Sequence, residues 1–130
     1  MRHATLLLAA ALSLSACDLI EPASLGCTDR NALNYDSGAS EDDGSCEFSR
    51  VIFYKAVDGP PVDVTVGGQP AGTITAFYPT GPGNCSAPGN ATWRLRNGFV
   101  QDWNAQSGPF LNSGTVQADR FSECIRVRVF

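Results

Sequence analysis

The sequence predicts a mainly β protein, in which a short disulfide-closed acidic loop module precedes a small antiparallel β-sandwich of about seven strands. Three observations predict this class. From residue 49 onward apolar and polar residues alternate with a period of two, turn sequences rich in glycine and proline separate the alternating runs, and no segment has helical periodicity. The length of 130 residues allows one modest domain with appendages and excludes a TIM barrel or a doubly wound dinucleotide fold.

The first 16 residues have the features of a secretory signal peptide. Arg2 and His3 precede an apolar run over residues 4–14, which is shorter than the roughly 20 residues of a permanent membrane-spanning helix. The following residues, Leu14-Ser15-Ala16-Cys17, resemble the lipobox of bacterial lipoproteins. This resemblance implies that Cys17 carries a diacylglyceryl group, with fatty acyl chains such as palmitate, and becomes the mature N-terminus. The alternative is an ordinary signal peptide that leaves Cys17 as a free thiol.

The number of cysteines supports acylation of Cys17. An exported chain with five cysteines has one thiol left over, whereas acylation leaves an even set that can pair completely: Cys27, Cys46, Cys85 and Cys124. Residues 17–26 then form the lipidated cysteine and a tether. The mature protein is expected to be anchored to a membrane without spanning it, because no later apolar run approaches the required length.

Charge divides the mature chain at about residue 47. Residues 17–47 contain eight carboxylates and one arginine, whereas residues 48–130 contain seven basic and five acidic side chains. This asymmetry predicts two modules, 27–47 and 48–130, with different roles. The formal net charge of −4 argues against a nucleic-acid partner, since phosphate binding needs a clustered basic face.

The acidic module contains too few apolar side chains to fold on a hydrophobic core. A disulfide between Cys27 and Cys46 would close a loop of about 20 residues and stabilise it by roughly 3 kcal/mol in the chain-entropy model. A bound calcium ion is expected to stabilise the module as well, because calcium binds about six to eight oxygen ligands and this loop is rich in carboxylate and amide oxygens. The expected calcium ligands are Asp29, Asn31, Asn34, Asp36, Asp42 and Asp43. The alternative is that these side chains form a solvated loop surface and that only the disulfide is structural.

The same run resembles a cysteine-bounded repeat of extracellular proteins from Bacteroidetes-like bacteria, of the type Gly-Cys-x-Asp-x-x-Ala-x-Asn-Tyr-Asp with a closing Asp-Asp-Gly-Ser-Cys. Gly26-Cys27, Asn34-Tyr35-Asp36 and the residues 42–46 match that pattern, and Arg30 stands where the family usually has proline. The resemblance implies a calcium-bound, disulfide-closed spacer in an envelope lipoprotein.

Seven strands are expected in the second module. The clearest alternation occurs at residues 62–66, 91–96 and 125–129, and further strands are expected near 50–57, 71–78, 98–104 and 114–119. Turn sequences between them include Gly67-Gly68 and Gly108-Pro109. Asn97-Gly98, between two alternating runs, predicts a β-hairpin.

Three segments, 62–75, 85–89 and 124–130, are similar to small extracellular β-sandwich domains of bacterial surface proteins, in the style of PEGA domains. The resemblance implies a disulfide between Cys85 and Cys124, which would close about 40 residues. Residues 99–112 depart from the plain family strand, so a recognition surface is expected there. Trp103 lies in this segment and is either a core residue or a sugar-stacking residue.

The residues argue against catalysis. His3 is the only histidine and is lost with the signal peptide, which excludes Ser-His-Asp and Cys-His arrangements and a histidine-ligated zinc from the mature protein. The expected function is therefore that of a non-enzymatic envelope lipoprotein, anchored in the outer membrane, with a structural or adhesion-type role and an envelope glycan or protein as partner. The alternative is a carbohydrate-binding surface lipoprotein that uses Trp103.

Overall fold

The computed structural model describes residues 22–119 and 121–130. These residues form nine β-strands and no helix, which confirms the mainly β class. The strands are β1 (Leu25–Gly26), β2 (Glu41–Asp42), β3 (Ser49–Tyr54), β4 (Val62–Val66), β5 (Gln69–Ile74), β6 (Ala91–Leu95), β7 (Val100–Ser107), β8 (Phe110–Gln117) and β9 (Cys124–Arg128).

Two sheets built from β3 to β9 form a sandwich. One sheet has the order β6-β3-β9 and the other the order β5-β4-β7-β8. A single apolar core contains buried residues of both sheets, such as Phe53 of β3 and Val64 of β4. The alternation in β4 determines which side chains reach this core: Val62, Val64 and Val66 are buried. The seven strands of the sandwich agree with the expected number.

Two hairpins have the turns that their sequences predict. Gly67 and Gly68 join β4 to β5 with φ angles of 56° and 78°, the left-handed pair that a type I′ turn requires. Gly108 has a φ of 56° and is followed by Pro109 between β7 and β8. Because this turn is only two residues long, β8 begins at Phe110, four residues before the position expected from alternation alone.

The prediction of a β-hairpin at Asn97-Gly98 is wrong. β6 pairs with β3, whereas β7 pairs with β4 and β8, so these two residues connect the two sheets instead of two paired strands. The dipeptide does form a turn, with a φ of 78° at Gly98. Its backbone N–H groups bind elsewhere, however: Asn97 N donates to Asn31 O at 3.0 Å and Gly98 N to Ala118 O at 3.0 Å.

One strand pair of the sandwich is parallel, which differs from the expected all-antiparallel arrangement. β9 lies beside β3 in the same direction, with Arg50 opposite Cys124 and Tyr54 opposite Arg128. The preceding strand, β8, belongs to the other sheet, so the chain crosses between sheets before β9. Since no hairpin links β9 to its neighbour, its direction is not fixed by a tight turn.

The expected signal peptide and Cys17 lie outside the described residues, as do residues 18–21. Within residues 22–119 and 121–130, no helix is long and apolar enough to cross a membrane.

Candidate functional site

The acidic module is closed by the expected disulfide. Cys27 and Cys46 are joined with an S–S distance of 2.07 Å, and Cys27 is 1% exposed. The short strands β1 and β2 pair in parallel beside it. Apart from Cys27, Ala32 is the only apolar residue buried in this part of the described chain, at 5% exposure. The disulfide therefore replaces a hydrophobic core here, as the low apolar content predicted.

Four of the expected calcium ligands stabilise local turns. Each accepts a hydrogen bond at 2.7–2.9 Å from the backbone N–H two residues further along the chain: Asp29, Asp36, Asp42 and Asp43. Side chains of aspartate commonly make such turns because their reach matches the backbone donor two residues on. Hydrogen bonds from Ser45 also hold the pKa of Asp43 below its usual value.

The two expected asparagine ligands are also engaged with the protein. Asn34 Oδ1 accepts a hydrogen bond from Glu47 N, and Asn34 Nδ2 donates to Ser45 O, both at 2.7 Å. Asn31 takes part through its backbone, since its N–H donates to Asp29 and its carbonyl accepts from Asn97 N. These contacts join the two ends of the acidic loop to each other and to the sandwich.

The four carboxylates among the expected calcium ligands each belong to a local turn of the acidic module. Nowhere in the described parts of the chain do three acidic, histidine or cysteine side chains lie close enough to hold an ion. Calcium takes about six to eight oxygens, whereas the carboxylates here are distributed over separate turns. The described residues therefore contain no preformed group of three such ligands, and calcium binding stays a prediction of the sequence.

Removing calcium is expected to leave the melting temperature of the full chain unchanged within about 1 °C, because the disulfide and the turn hydrogen bonds hold the acidic module without an ion. A ligand present at about 100 times its Kd would add roughly 2.7 kcal/mol to stability, which shifts Tm by several degrees. Thermal unfolding in excess calcium and then in EGTA measures this. A rise of several degrees in calcium that Asp36→Asn abolishes would instead establish the calcium site.

The acidic module docks on the turn that connects β6 to β7. Arg96 Nε lies 3.7 Å from Asp29 Oδ2, the only ion pair among the residues that the structure describes. The Arg96 guanidinium also lies 5.6 Å from the centre of the Phe48 ring. Because Arg96 is 60% exposed, this ion pair is worth at most about 1 kcal/mol. Together with the Asn97–Asn31 hydrogen bond, it orients the module on the sandwich.

The second disulfide holds the long loop between β5 and β6 against the three-stranded sheet. Cys85 and Cys124 are joined with an S–S distance of 2.14 Å, the pairing that the resemblance implied. Arg50 donates to Ser86 Oγ at 3.1 Å and Arg126 to Gly83 O at 2.9 Å. These contacts place the loop over the outer face of β3. They explain why Ile52, on the side opposite to the main core, is fully buried.

Trp103 is a core residue. Its side chain is 6% exposed, and its ring centre lies 5.8 Å from that of Phe53. A Cβ atom at Gly114, the neighbour on β8, would lie only 2.9 Å from the indole ring, so the strand has room for the ring only because residue 114 is glycine. With 6% of its surface exposed, Trp103 offers little ring surface to a ligand in this structure, and its role in stacking on a sugar stays a prediction.

A cavity of about 410 Å³ lies at the junction of the two modules, next to both disulfides. Arg50 and Arg94 line it, but so do Glu47 and Glu123. The two carboxylates offset the two guanidinium groups, so the cavity has no net charge that would select an anion or a cation.

A smaller cavity of about 250 Å³ lies beside the end of β3. Its wall includes the apolar side chains of Val57, Val62, Phe110 and Phe130. Lys55 also lines it and is 2% exposed. Its ammonium group donates to two backbone carbonyls of the turn that follows β3, Gly59 O at 2.6 Å and Pro60 O at 2.9 Å.

No family model, curated protein or solved structure matches this chain.

Sequence reasoning missed Lys55 as a site residue. Lys55 is the only lysine of the chain, and it follows the apolar run Val51-Ile52-Phe53-Tyr54 of β3. A lone charge at the end of a buried strand was the available signal, since lysine is almost never fully buried. The apolar wall, in contrast, comes from separate segments at 57–62, 107–110 and 130, and no local pattern relates them.

Proposed function

We propose that this chain is a lipid-anchored protein of the cell envelope, attached to the outer membrane through Cys17, with a structural or adhesion-type role and no catalytic one. The observation that supports it best is the pairing of Cys27 with Cys46 and of Cys85 with Cys124. Disulfides of this kind persist in oxidising compartments outside the cytosol. They use four of the five cysteines, and the fifth is Cys17, which directly follows Leu14-Ser15-Ala16.

In this proposal the acidic module is a spacer between the lipid and the sandwich. The hydrogen bond and the ion pair between residues 29–31 and 96–97 support a fixed orientation of the module on the sandwich. The carboxylates of residues 17–47 would also keep this segment away from anionic lipid headgroups by charge repulsion.

The β7–β8 hairpin supports an interaction role. Phe110 and Leu111, directly after its turn, are 68% and 66% exposed. Both lie in the segment 99–112, where the sequence predicts a recognition surface. These two exposed apolar side chains, one on each face of the hairpin, are available for contact with a protein partner.

Acylation of Cys17 is tested by expressing the full chain and its Cys17→Ser variant in a bacterium with a lipoprotein-processing pathway. We expect labelled palmitate to enter the wild type and not the variant, and we expect only the wild type to partition into a detergent phase. As a control, thiol alkylation without reductant should modify no cysteine at 27, 46, 85 or 124 in either protein. An unlabelled wild type with an unmodified N-terminus would overturn the lipid anchor.

A further inference from the structure

Lys55 is a buried cation that forms no ion pair with any residue that the structure describes. Its side chain is 2% exposed, and the only ion pair of the described residues joins Arg96 to Asp29. No described carboxylate therefore lies within salt-bridge distance of Lys55 Nζ. A buried charge is costly unless an opposite charge accompanies it, because the protein interior solvates ions poorly.

The nearest acidic residue of the turn does not neutralise Lys55. Asp58 lines the same cavity, but its Oδ1 accepts a hydrogen bond from Gly59 N at 2.8 Å. The ammonium group has three N–H donors, and the carbonyls of Gly59 and Pro60 accept two of them. The third N–H donor has no hydrogen-bond partner among the described residues, and Lys55 lines the cavity.

The remaining wall of the cavity suits an apolar group. Val57 and Phe110 are 58% and 68% exposed at its rim, although both are apolar. Val62 lies deeper and is 1% exposed. A ligand that covers Val57 and Phe110 would remove apolar surface from water, which favours binding in proportion to the area covered. The cavity volume of about 250 Å³ limits this ligand to a small molecule.

We propose that this cavity binds a small organic carboxylate with an apolar body about the size of one aromatic ring. The carboxylate accepts a hydrogen bond from Lys55 Nζ and supplies the missing negative charge. The apolar body packs between Val57, Phe110 and Phe130. This inference does not depend on the lipid anchor, because Cys17 takes no part in it, so the two proposals can fail separately.

The test uses the full chain carrying Cys17→Ser, so that no detergent competes for the cavity, and fluorine NMR of 4-fluorobenzoate. The neutral 4-fluorobenzyl alcohol is the matched probe, with the same ring and no charge. We expect the carboxylate to bind at least about tenfold more tightly than the alcohol, since only the carboxylate makes a charge-assisted hydrogen bond. Equal affinity for the two probes would overturn the proposal.

Two pairs of variants assign the binding to this cavity. Phe110→Ala should weaken fluorobenzoate binding several-fold, whereas Leu111→Ala should not, because adjacent residues of β8 point to opposite faces of the sheet and only Phe110 lines the cavity. Lys55→Met should abolish the preference for the carboxylate, and Lys55→Arg should keep part of it. A preference that survives Lys55→Met would contradict the proposal.

If Lys55→Met does not fold, amide shifts of the protein with native Lys55 decide the question. Fluorobenzoate should shift the backbone amide signals of Gly59, Ser107 and Phe110, which border the cavity, and leave that of Thr115 unchanged. Shifts confined to other residues, or no shifts, would overturn the proposal.

Discussion

Replacing both Cys85 and Cys124 by serine is expected to lower the free energy of unfolding by about 4 kcal/mol. The two cysteines are separated by 39 residues, so their bridge restricts the unfolded chain more than a short loop would. The bridge also holds residues 79–89 over β3, where Ile52 is fully buried. Urea unfolding of the full chain, followed by tryptophan fluorescence, measures the change in midpoint and slope.

The matched control is the double serine variant of Cys27 and Cys46. Its bridge spans 19 residues, and the same model assigns it about 3 kcal/mol. The effect should be local, however, because the acidic module buries only Cys27 and Ala32 among its apolar residues and shares no core with the sandwich. Hydrogen exchange should therefore increase at residues 27–47 and stay unchanged in β3. An unaltered urea midpoint for the Cys85 and Cys124 variant would contradict the expected role of the second disulfide.

The sequence predicts local backbone conformation well and strand partners poorly. Asn97-Gly98 forms the turn expected of it, yet β6 and β7 belong to different sheets. A dipeptide determines only its own φ and ψ angles, whereas the choice of partner depends on which strands share the core. For the same reason alternation predicted Val62, Val64 and Val66 as one buried face but not the parallel pairing of β3 with β9.

The same distinction applies to the candidate sites. The acidic side chains of residues 29–43 are close in sequence, which predicts a shared ion, and the structure adds that the four aspartates each accept a hydrogen bond from the backbone N–H two residues further along the chain. The residues that line the cavity at Lys55 are, in contrast, far apart in the sequence, from Val57 to Phe130. Only the isolated charge after a buried strand was visible in the sequence.

Trp103→Ala is expected to lower the free energy of unfolding by about 3–5 kcal/mol, the range for removing a buried tryptophan side chain. The indole ring packs against Phe53 and over Gly114, so its loss leaves a cavity between the two sheets. β7 is hydrogen-bonded to β4 on one side and to β8 on the other, which limits how far it can move to fill this space. Chemical unfolding of wild type and variant measures the difference.

Trp93→Ala is the matched control, because it removes the same side chain from a half-buried position. Trp93 packs at the side of the core and donates through Nε1 to Gln101 Oε1 at 3.0 Å. Its loss should cost less than that of Trp103, since water can reach the space it leaves. A glycan array tests recognition separately from stability. A Trp103→Ala protein of unchanged stability that loses saturable glycan binding would contradict the core role and support the sugar-stacking one.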